Sequence, residues 1–142
     1  MDLKTTLTEL QCELVAERNL VNPKEISWLQ YDILCQIKKE EEILPSHLSL
    51  ILGLSRTKLS KALKALKTMS YIAQRPNKSD GRELSTFLTD EGTALLAAIS
   101  QKHTALYETA VKAFTKEERD RFIILSHTLA EALRKERIEK DE

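Results

Sequence analysis

Residues 54–92 read LSRTKLSKALKALKTMSYIAQRPNKSDGRELSTFLTDEG, and the pattern of this segment is the most informative about the fold. Ser55 is a favoured helix N-cap residue, and the pattern that follows it predicts a helix over residues 55–70. The buried side of this helix is predicted to carry apolar residues at helical spacing: Leu59, Leu63, Leu66 and Met69. Its solvent side carries basic and hydroxyl residues: Arg56, Thr57, Ser60, Lys61 and Lys64.

A shorter apolar helix is predicted just before this one. Residues 43–45 are apolar and end in proline, which is consistent with a brief strand. Ser46 is then the candidate N-cap of a short helix, and Gly53 is suited to end it in a left-handed conformation. A helix, a turn with glycine and a second helix form the helix-turn-helix signature, although an ordinary αα-hairpin has the same order.

A β-hairpin is predicted immediately after the second helix. Residues 71–75 favour a strand, and residues 83–88 alternate in a way that favours another. The segment between them, residues 76–81, is the richest turn cluster of the chain. This hairpin would form a wing whose tip carries Lys78 and Arg82 towards the minor groove or the backbone of DNA.

The charges of the chain are strongly segregated. The 142 residues contain 22 basic and 22 acidic side chains, a formal net charge of zero that at first argues against a nucleic-acid partner. Residues 43–79, however, contain seven basic residues and no acidic one. A merely solvated helix usually mixes both signs, because oppositely charged residues four apart stabilise it. The segregation therefore favours a surface that binds a polyanion.

The segments outside residues 43–92 are predicted to be helical. A helix over residues 3–18 carries a narrow apolar seam: Leu3, Leu7, Leu10 and Leu14. Ser27 and Gln30 form a capping box, which begins a second helix that reaches about residue 39.

Two further helices are predicted after the wing. Thr89 caps a long helix to about residue 113, and Thr115 with Glu118 forms a capping box for the last helix. That last helix carries an apolar stripe: Phe122, Leu125, Leu129 and Leu133.

Several classes of protein are not supported by the sequence. No apolar run is long enough to span a membrane, and the N-terminal residues lack a signal-peptide pattern, so we expect a cytoplasmic protein. The three glycines cannot supply a glycine-rich phosphate loop, and no metal-binding motif is present. No pair of nucleophile and base is recognisable either. We therefore expect neither an enzyme nor a protein with a cofactor or a metal.

The segment 54–92 closely resembles the core of MarR-type winged-helix transcription regulators. The most specific match is Asp80, Gly81 and Arg82, followed by Leu88 and Thr89 and then by Gly92. Residues 26–34, ISWLQYDIL, also resemble the start of that family's second helix. Two positions depart from the usual pattern. Ser49 replaces a usual alanine, and Ser70 stands where glycine usually ends the recognition helix. A residue other than glycine is strained in a left-handed cap, so the exit into the strand is expected to differ slightly.

The resemblance implies a mainly α fold with a small β wing. It places an N-terminal dimerisation helix at residues 1–25 and the winged helix-turn-helix DNA-binding domain at residues 26–92. Within that domain the recognition helix would cover residues 55–70 and the wing residues 71–88. A long linker helix and a C-terminal dimerisation helix would follow in residues 93–142.

The same resemblance implies a homodimer that binds a pseudo-palindromic operator and regulates transcription, most commonly as a repressor. Arg82 would insert into the minor groove and Asp80 would orient it by a salt bridge. Lys78 would contact DNA from the wing tip. Residues of the recognition helix would contact the major groove and the phosphates: Ser55, Arg56, Thr57, Lys58, Ser60, Lys61 and Lys64.

The sequence is compatible with more than one way of controlling such a regulator. Family members commonly bind small, often phenolic, molecules, and Trp28, Tyr31 and Tyr107 are the candidate ligand contacts. Oxidation of Cys12, in the first helix, is a second possibility, although no basic residue lies close to it in sequence. Cys35 is expected to be buried filler.

Two other interpretations are kept beside these. Zinc sensing would have to use His103, Glu108 and His127, whose spacing is not typical of a zinc site. A different class of protein, a helical interaction adaptor, would use the basic face to bind an acidic partner.

Overall fold

The computed structural model describes residues 1–79 and 81–140, which form seven helices and a three-stranded antiparallel sheet. The helices are α1 (Leu3–Leu20), α2 (Trp28–Glu40), α3 (Pro45–Leu52), α4 (Arg56–Thr68), α5 (Asp90–Lys102), α6 (Ala105–Ala113) and α7 (Lys116–Lys140). The strands are β1 (Glu42–Ile43), β2 (Ile72–Pro76) and β3 (Leu84–Leu88). The mainly α fold with a small β wing is thereby confirmed.

The sheet joins the two ends of the helix-turn-helix. Its strand order is β1-β3-β2, so the short strand before α3 pairs with the second strand of the wing. Ile43 lies opposite Thr86, and Gln74 lies opposite Thr86 on the other side. The predicted hairpin is therefore correct, and the predicted brief strand turns out to be its third member.

One hydrophobic core holds the winged-helix part together. Its completely buried members come from three helices: Ile33, Leu34, Ile37, Leu48, Leu59 and Leu66. Leu96 and Ile99 of α5 belong to the same core, beyond the boundary predicted at residue 92. The core therefore ends where α5 ends, and it fixes the position of α4 relative to the sheet.

The capping signals read from the sequence are mostly confirmed. Ser27 and Gln30 form the predicted capping box, with Gln30 N–H donating to Ser27 Oγ at 3.1 Å. Thr115 and Glu118 form the other one. Ser46, however, is not an N-cap. Leu44 is the cap residue, and Pro45 lies in the first turn of α3. Proline is favoured there because it has no backbone N–H that would need a hydrogen-bond acceptor.

The long helix predicted after the wing is wrong, because it is two helices. The backbone leaves helical geometry at His103, where ψ is 69°, and α6 begins at Ala105. His103 and Thr104 are not helix breakers, so the apolar pattern could not locate the break. The ring of His103 lies 5.1 Å from that of Trp28 on α2, a tertiary contact that the local pattern does not encode.

Helices α1, α6 and α7 bury no residue within this single chain. Their large apolar side chains are exposed instead, including Leu7, Leu10 and Leu14 on α1 and Phe122, Leu125 and Leu129 on α7. No helix in the described residues is long and apolar enough to span a membrane.

Candidate nucleic-acid interface

The turn between α3 and α4 is held by glycine and by a buried serine. Gly53 has φ 64°, a left-handed conformation that lets the chain reverse direction after α3. Ser49 is buried and donates its hydroxyl to the carbonyl of Leu54 at 2.6 Å, while Leu54 N–H donates to the Ser49 carbonyl at 3.0 Å. The departure from alanine at residue 49 thus adds a hydrogen bond across the turn.

Helix α4 divides sharply into a buried side and an exposed side. Ser55 caps it by accepting a hydrogen bond from Lys58 N–H at 3.2 Å. Leu59, Leu63 and Leu66 are buried as predicted, but Met69 is 37% exposed because the helix has already ended at Thr68. The seven residues predicted to contact DNA are all exposed: Ser55, Arg56, Thr57, Lys58, Ser60, Lys61 and Lys64.

The contacts at the exit from α4 explain the residue spacing at positions 88–92 on which the resemblance rests. Ser70 has φ 67°, so it adopts the left-handed conformation although it carries a Cβ atom. Its carbonyl accepts a hydrogen bond from Thr89 Oγ at 2.6 Å, and Thr89 also accepts one from Gly92 N–H at 3.0 Å. A Cβ atom on Gly92 would lie 2.0 Å from the carbonyl oxygen of Tyr71. Only glycine therefore lets α5 begin this close to the chain that leaves α4.

The wing is attached to the rest of the domain by an ion pair that crosses the sheet. Arg75 on β2 donates two hydrogen bonds to the carboxylate of Glu42 on β1, at 2.9 Å and 2.7 Å. Its guanidinium also lies 4.6 Å from the ring of Phe87 on β3. The hydrogen bond from Arg75 lowers the pKa of Glu42. Arg75 was counted among the charges of the basic segment, but Glu42 largely neutralises it.

Glu83 attaches the base of the wing to α3. Its carboxylate accepts hydrogen bonds from the backbone N–H of Ser46 at 2.7 Å and from the Ser46 hydroxyl at 2.9 Å. The Glu83 carboxylate thus accepts a hydrogen bond from a backbone N–H in the first turn of α3, where the helix itself offers no acceptor. Sequence reasoning missed this contact, because the two residues are 37 positions apart and only the folded sheet brings them together.

The wing tip carries the remaining predicted contacts. Lys78 and Arg82 are both exposed and lie between β2 and β3. Asp80, predicted to orient Arg82, lies outside the described residues. Lys78 and Arg82 therefore both lie in the loop beyond the last pair of residues of β2 and β3.

The three aromatic residues predicted to contact a ligand do not form one cluster. The rings of Trp28 and Tyr31 are 5.3 Å apart, and Trp28 also makes an edge-to-face contact with His103. Tyr107 lies on α6 and is 66% exposed, and no ring contact in residues 1–79 and 81–140 includes it. A cavity of about 380 Å³ lies next to His103, between residues 21–25 and the end of α5.

Trp28 is instead part of the connection between α1 and α2. Its indole N–H donates to the carbonyls of Arg18 and Val21, at 3.0 Å and 2.9 Å. Arg18 lies over the same ring at 5.1 Å and forms a two-pronged ion pair with Asp32. These contacts fix the end of α1 against the winged-helix domain.

The two cysteines differ in their surroundings. Cys12 is exposed on α1. Cys35 is half-buried rather than fully buried, and burial raises the pKa of its thiol. For the zinc hypothesis, His103, Glu108 and His127 are not brought together, and no three possible metal ligands cluster among the residues that the structure describes.

Comparison with known proteins agrees with this architecture. Residues 25–83 match the sequence profile of the MarR family. The chain is 28% identical over 101 residues to the multiple antibiotic resistance protein MarR of Salmonella typhimurium, and the alignment covers 70% of both proteins.

Two solved structures share the fold. One is a mutant of MarR from E. coli complexed with operator DNA, with a TM-score of 0.66 and 23% identity, covering 91% of this chain and 99% of that one. The other is the PcaV regulator of Streptomyces coelicolor with its natural ligand, with a TM-score of 0.68 and 20% identity, covering 94% and 97%. Residues 25–83 are thus similar to the MarR family of winged-helix regulators, and the chain shares the fold of these solved structures.

Proposed function

We propose that this protein is a sequence-specific regulator that binds a pseudo-palindromic operator in double-stranded DNA and represses transcription. The observation that carries this proposal is the two-sided character of α4. Its apolar side is locked into the core, while its capped first turns offer only hydroxyl and basic side chains to solvent. Such side chains bind phosphates and the edges of bases in the major groove.

The wing supplies a second point of contact in this proposal. Lys78 and Arg82 are exposed beyond the paired ends of β2 and β3, and Arg75 and Glu83 fix the base of the hairpin. An arginine at the tip of an anchored hairpin can enter the narrow minor groove beside the recognition helix.

We also propose that the protein acts as a homodimer. Helices α1 and α7 bury nothing in the single chain, although both carry rows of exposed leucine. Contiguous apolar surface of this kind usually marks a protein interface. A second copy that covers these rows would place two recognition helices about 34–36 Å apart, which is one turn of DNA.

A response to a small organic molecule is part of the same proposal. The cavity beside His103 lies between the α1–α2 connection and the end of α5. The ring of Trp28 contacts that of His103, and the ring of Tyr31 contacts that of Trp28. A bound molecule there would change how the dimerisation helices meet the DNA-binding domain. We expect a candidate aromatic acid that binds to raise the melting temperature and weaken DNA binding; a thermal shift without an effect on DNA binding would contradict this part.

The test of DNA binding is a fluorescence anisotropy titration with the intergenic DNA beside the protein's own gene. Wild-type protein should prefer this DNA over random DNA. Its log Kd should also rise with log salt, with a slope of about 0.9 per phosphate neutralised. Equal affinity for both DNAs would favour the adaptor interpretation, and a flat salt response would contradict the basic-surface argument.

The matching variant is Arg82→Ala. We expect its operator affinity to fall by about 1–3 kcal/mol at fixed salt, which is typical of the loss of an arginine contact with DNA. Lys112→Ala is the control, since it removes an exposed cation from α6, away from α4 and the wing. An Arg82→Ala protein that folds normally and binds as tightly as this control would show that the wing does not contact DNA.

A further inference from the structure

A groove lies beside the N-terminus of α4. Its volume is about 670 Å³, and α3, α4 and the last turns of α7 form its walls. The polar and basic side chains that line it include Ser46, His47, Ser55, Arg56, Arg137 and Lys140. Helix α7 therefore reaches the surface that carries the proposed DNA contacts, although its sequence pattern indicated only a role in dimerisation.

Three contacts hold α7 in this position. Arg137 Nε donates to the carbonyl of Ile51, in the last turn of α3, at 3.0 Å. Arg134 pairs with Glu40 at the end of α2, and Lys39 lies 3.6 Å from Glu131. Together they join the end of α7 to both α2 and α3.

The end of α7 comes very close to the turn itself. A Cβ atom on Gly53 would lie 3.8 Å from Cδ of Arg137. Lys140 follows Arg137 by three residues, which places both on the same face of the helix. The side chains of Arg137 and Lys140 are both exposed, so neither charge is removed from solvent by the fold.

The charge of the groove is entirely positive or neutral. Arg56, Arg137 and Lys140 line it, and no carboxylate among residues 1–79 and 81–140 does. Glu139 lies next to Lys135 instead, at 3.8 Å. Arg56 is also one of the proposed DNA contacts, so a DNA backbone that passes the first turn of α4 would continue past this groove.

We propose that the end of α7 is a phosphate-binding element, in which Arg137 and Lys140 contact the DNA backbone that flanks the major groove. This inference rests on the proposed DNA-binding function and extends it to a helix outside the winged domain. The occupant is the phosphodiester backbone, because Arg137 and Lys140 lie on α7, outside the recognition helix, and add cations beside Arg56.

Lys140→Gln tests the inference, and Lys135→Gln is its matched control. Both remove one cation from the last turns of α7, but Lys135 does not line the groove. In a dimer, Lys140→Gln removes two phosphate contacts, so the salt slope of binding should fall by about 2. Affinity should fall by about tenfold for operator and random DNA alike, because phosphate contacts carry no sequence information.

Arg137→Lys adds a check on the structural role of Arg137. It keeps the cation while changing the donor to the Ile51 carbonyl, so it should retain the wild-type salt slope. Circular dichroism establishes that each variant is folded before its slope is compared.

The outcomes separate the inference from the proposed function. If wild-type protein binds the operator and Lys140→Gln keeps its slope, or loses no more than Lys135→Gln, the end of α7 does not contact phosphate and the proposed function stands. If wild-type protein shows no salt-dependent binding to DNA, the proposed function is wrong and the inference falls with it.

Discussion

Ser70 holds a strained backbone conformation at the point where α4 gives way to β2. Its φ of 67° lies in the left-handed region, which costs a residue with a Cβ atom about 1–2 kcal/mol. The conformation is nevertheless needed, because Ser70 N–H donates to the Lys67 carbonyl and Tyr71 N–H to the Leu66 carbonyl, each at 3.0 Å. These two bonds end the recognition helix and direct the chain into the wing.

We therefore expect Ser70→Gly to stabilise the protein by about 0.5–1 kcal/mol. Glycine removes the strain, and its greater freedom in the unfolded chain offsets part of the gain. Urea unfolding measures the change. Ser126→Gly within α7 is the control and should lower stability by about 0.5 kcal/mol, since glycine is a poorer helix former than serine. A Ser70→Gly protein no more stable than wild type would mean that the turn is not strained.

Individual residues also show what sequence reasoning could and could not find. The left-handed Gly53, the cap of Ser55 and the strained Ser70 were predictable, because each depends on a local backbone geometry with a known residue preference. The hydrogen bonds of Glu83 to Ser46 were not predictable, because their donors and acceptor meet only through the sheet.

At the scale of elements, the side chain of Arg75 links the three strands of the sheet. The side chain of Arg75 on β2 passes the ring of Phe87 on β3 and reaches Glu42 on β1. The hydrogen bond from Arg75 holds the pKa of Glu42 below the ordinary value of 4.5. The folded protein therefore stabilises the charged form of the Glu42 carboxyl group relative to its protonated form.

The sign of the resulting pH dependence follows directly. A carboxyl whose pKa is lowered by folding stabilises the protein above its unfolded pKa, and this contribution is lost as the pH falls through the folded pKa. We expect a carbon-13 titration to give Glu42 a pKa below 4.5, and Arg75→Gln to return that pKa to its ordinary range.

Arg121→Gln is the control for this titration. It breaks a similar ion pair, with Glu117 within α7, and should leave the pKa of Glu42 unchanged. An unchanged pKa of Glu42 in the Arg75→Gln protein would show that the ion pair does not connect the strands in solution.

Elements also mark the limit of prediction from periodicity. The pattern gave α1, α2, α4 and the hairpin with ends correct to about two residues. It failed at residues 103–104, where α5 and α6 separate without glycine or proline, since the pattern of apolar residues continues through the break. A contact between His103 and Trp28, 75 positions apart in the chain, accompanies the break.

At the scale of the whole molecule, α7 performs two tasks along its 25 residues. Its first half exposes apolar residues such as Phe122, Leu125 and Leu129. Its second half packs against the helix-turn-helix through Arg134 and Arg137. The sequence predicted the first task from its stripe of apolar residues. It could not predict the second, because charged residues at a helix end are usually only solvated. In a dimer, this arrangement would make the spacing of the recognition helices depend directly on how two copies of α7 meet.

Leu129→Glu tests whether the meeting of two α7 helices sets the spacing of the recognition helices in the proposed dimer. An unpaired carboxylate is costly to bury, so we expect this variant to be a monomer at concentrations where wild type is a dimer, measured by sedimentation. Its affinity for the full operator should fall by about 100-fold, because a monomer binds only one half-site and loses the advantage of two linked sites. Its affinity for DNA with a single half-site should stay unchanged, since α4 and the wing are intact. His127→Glu, about 160° around α7 from Leu129, is the control and should remain dimeric. A Leu129→Glu protein that stays dimeric would exclude this face of α7 as the interface, while a monomer that still binds the full operator tightly would show that dimerisation does not set operator affinity.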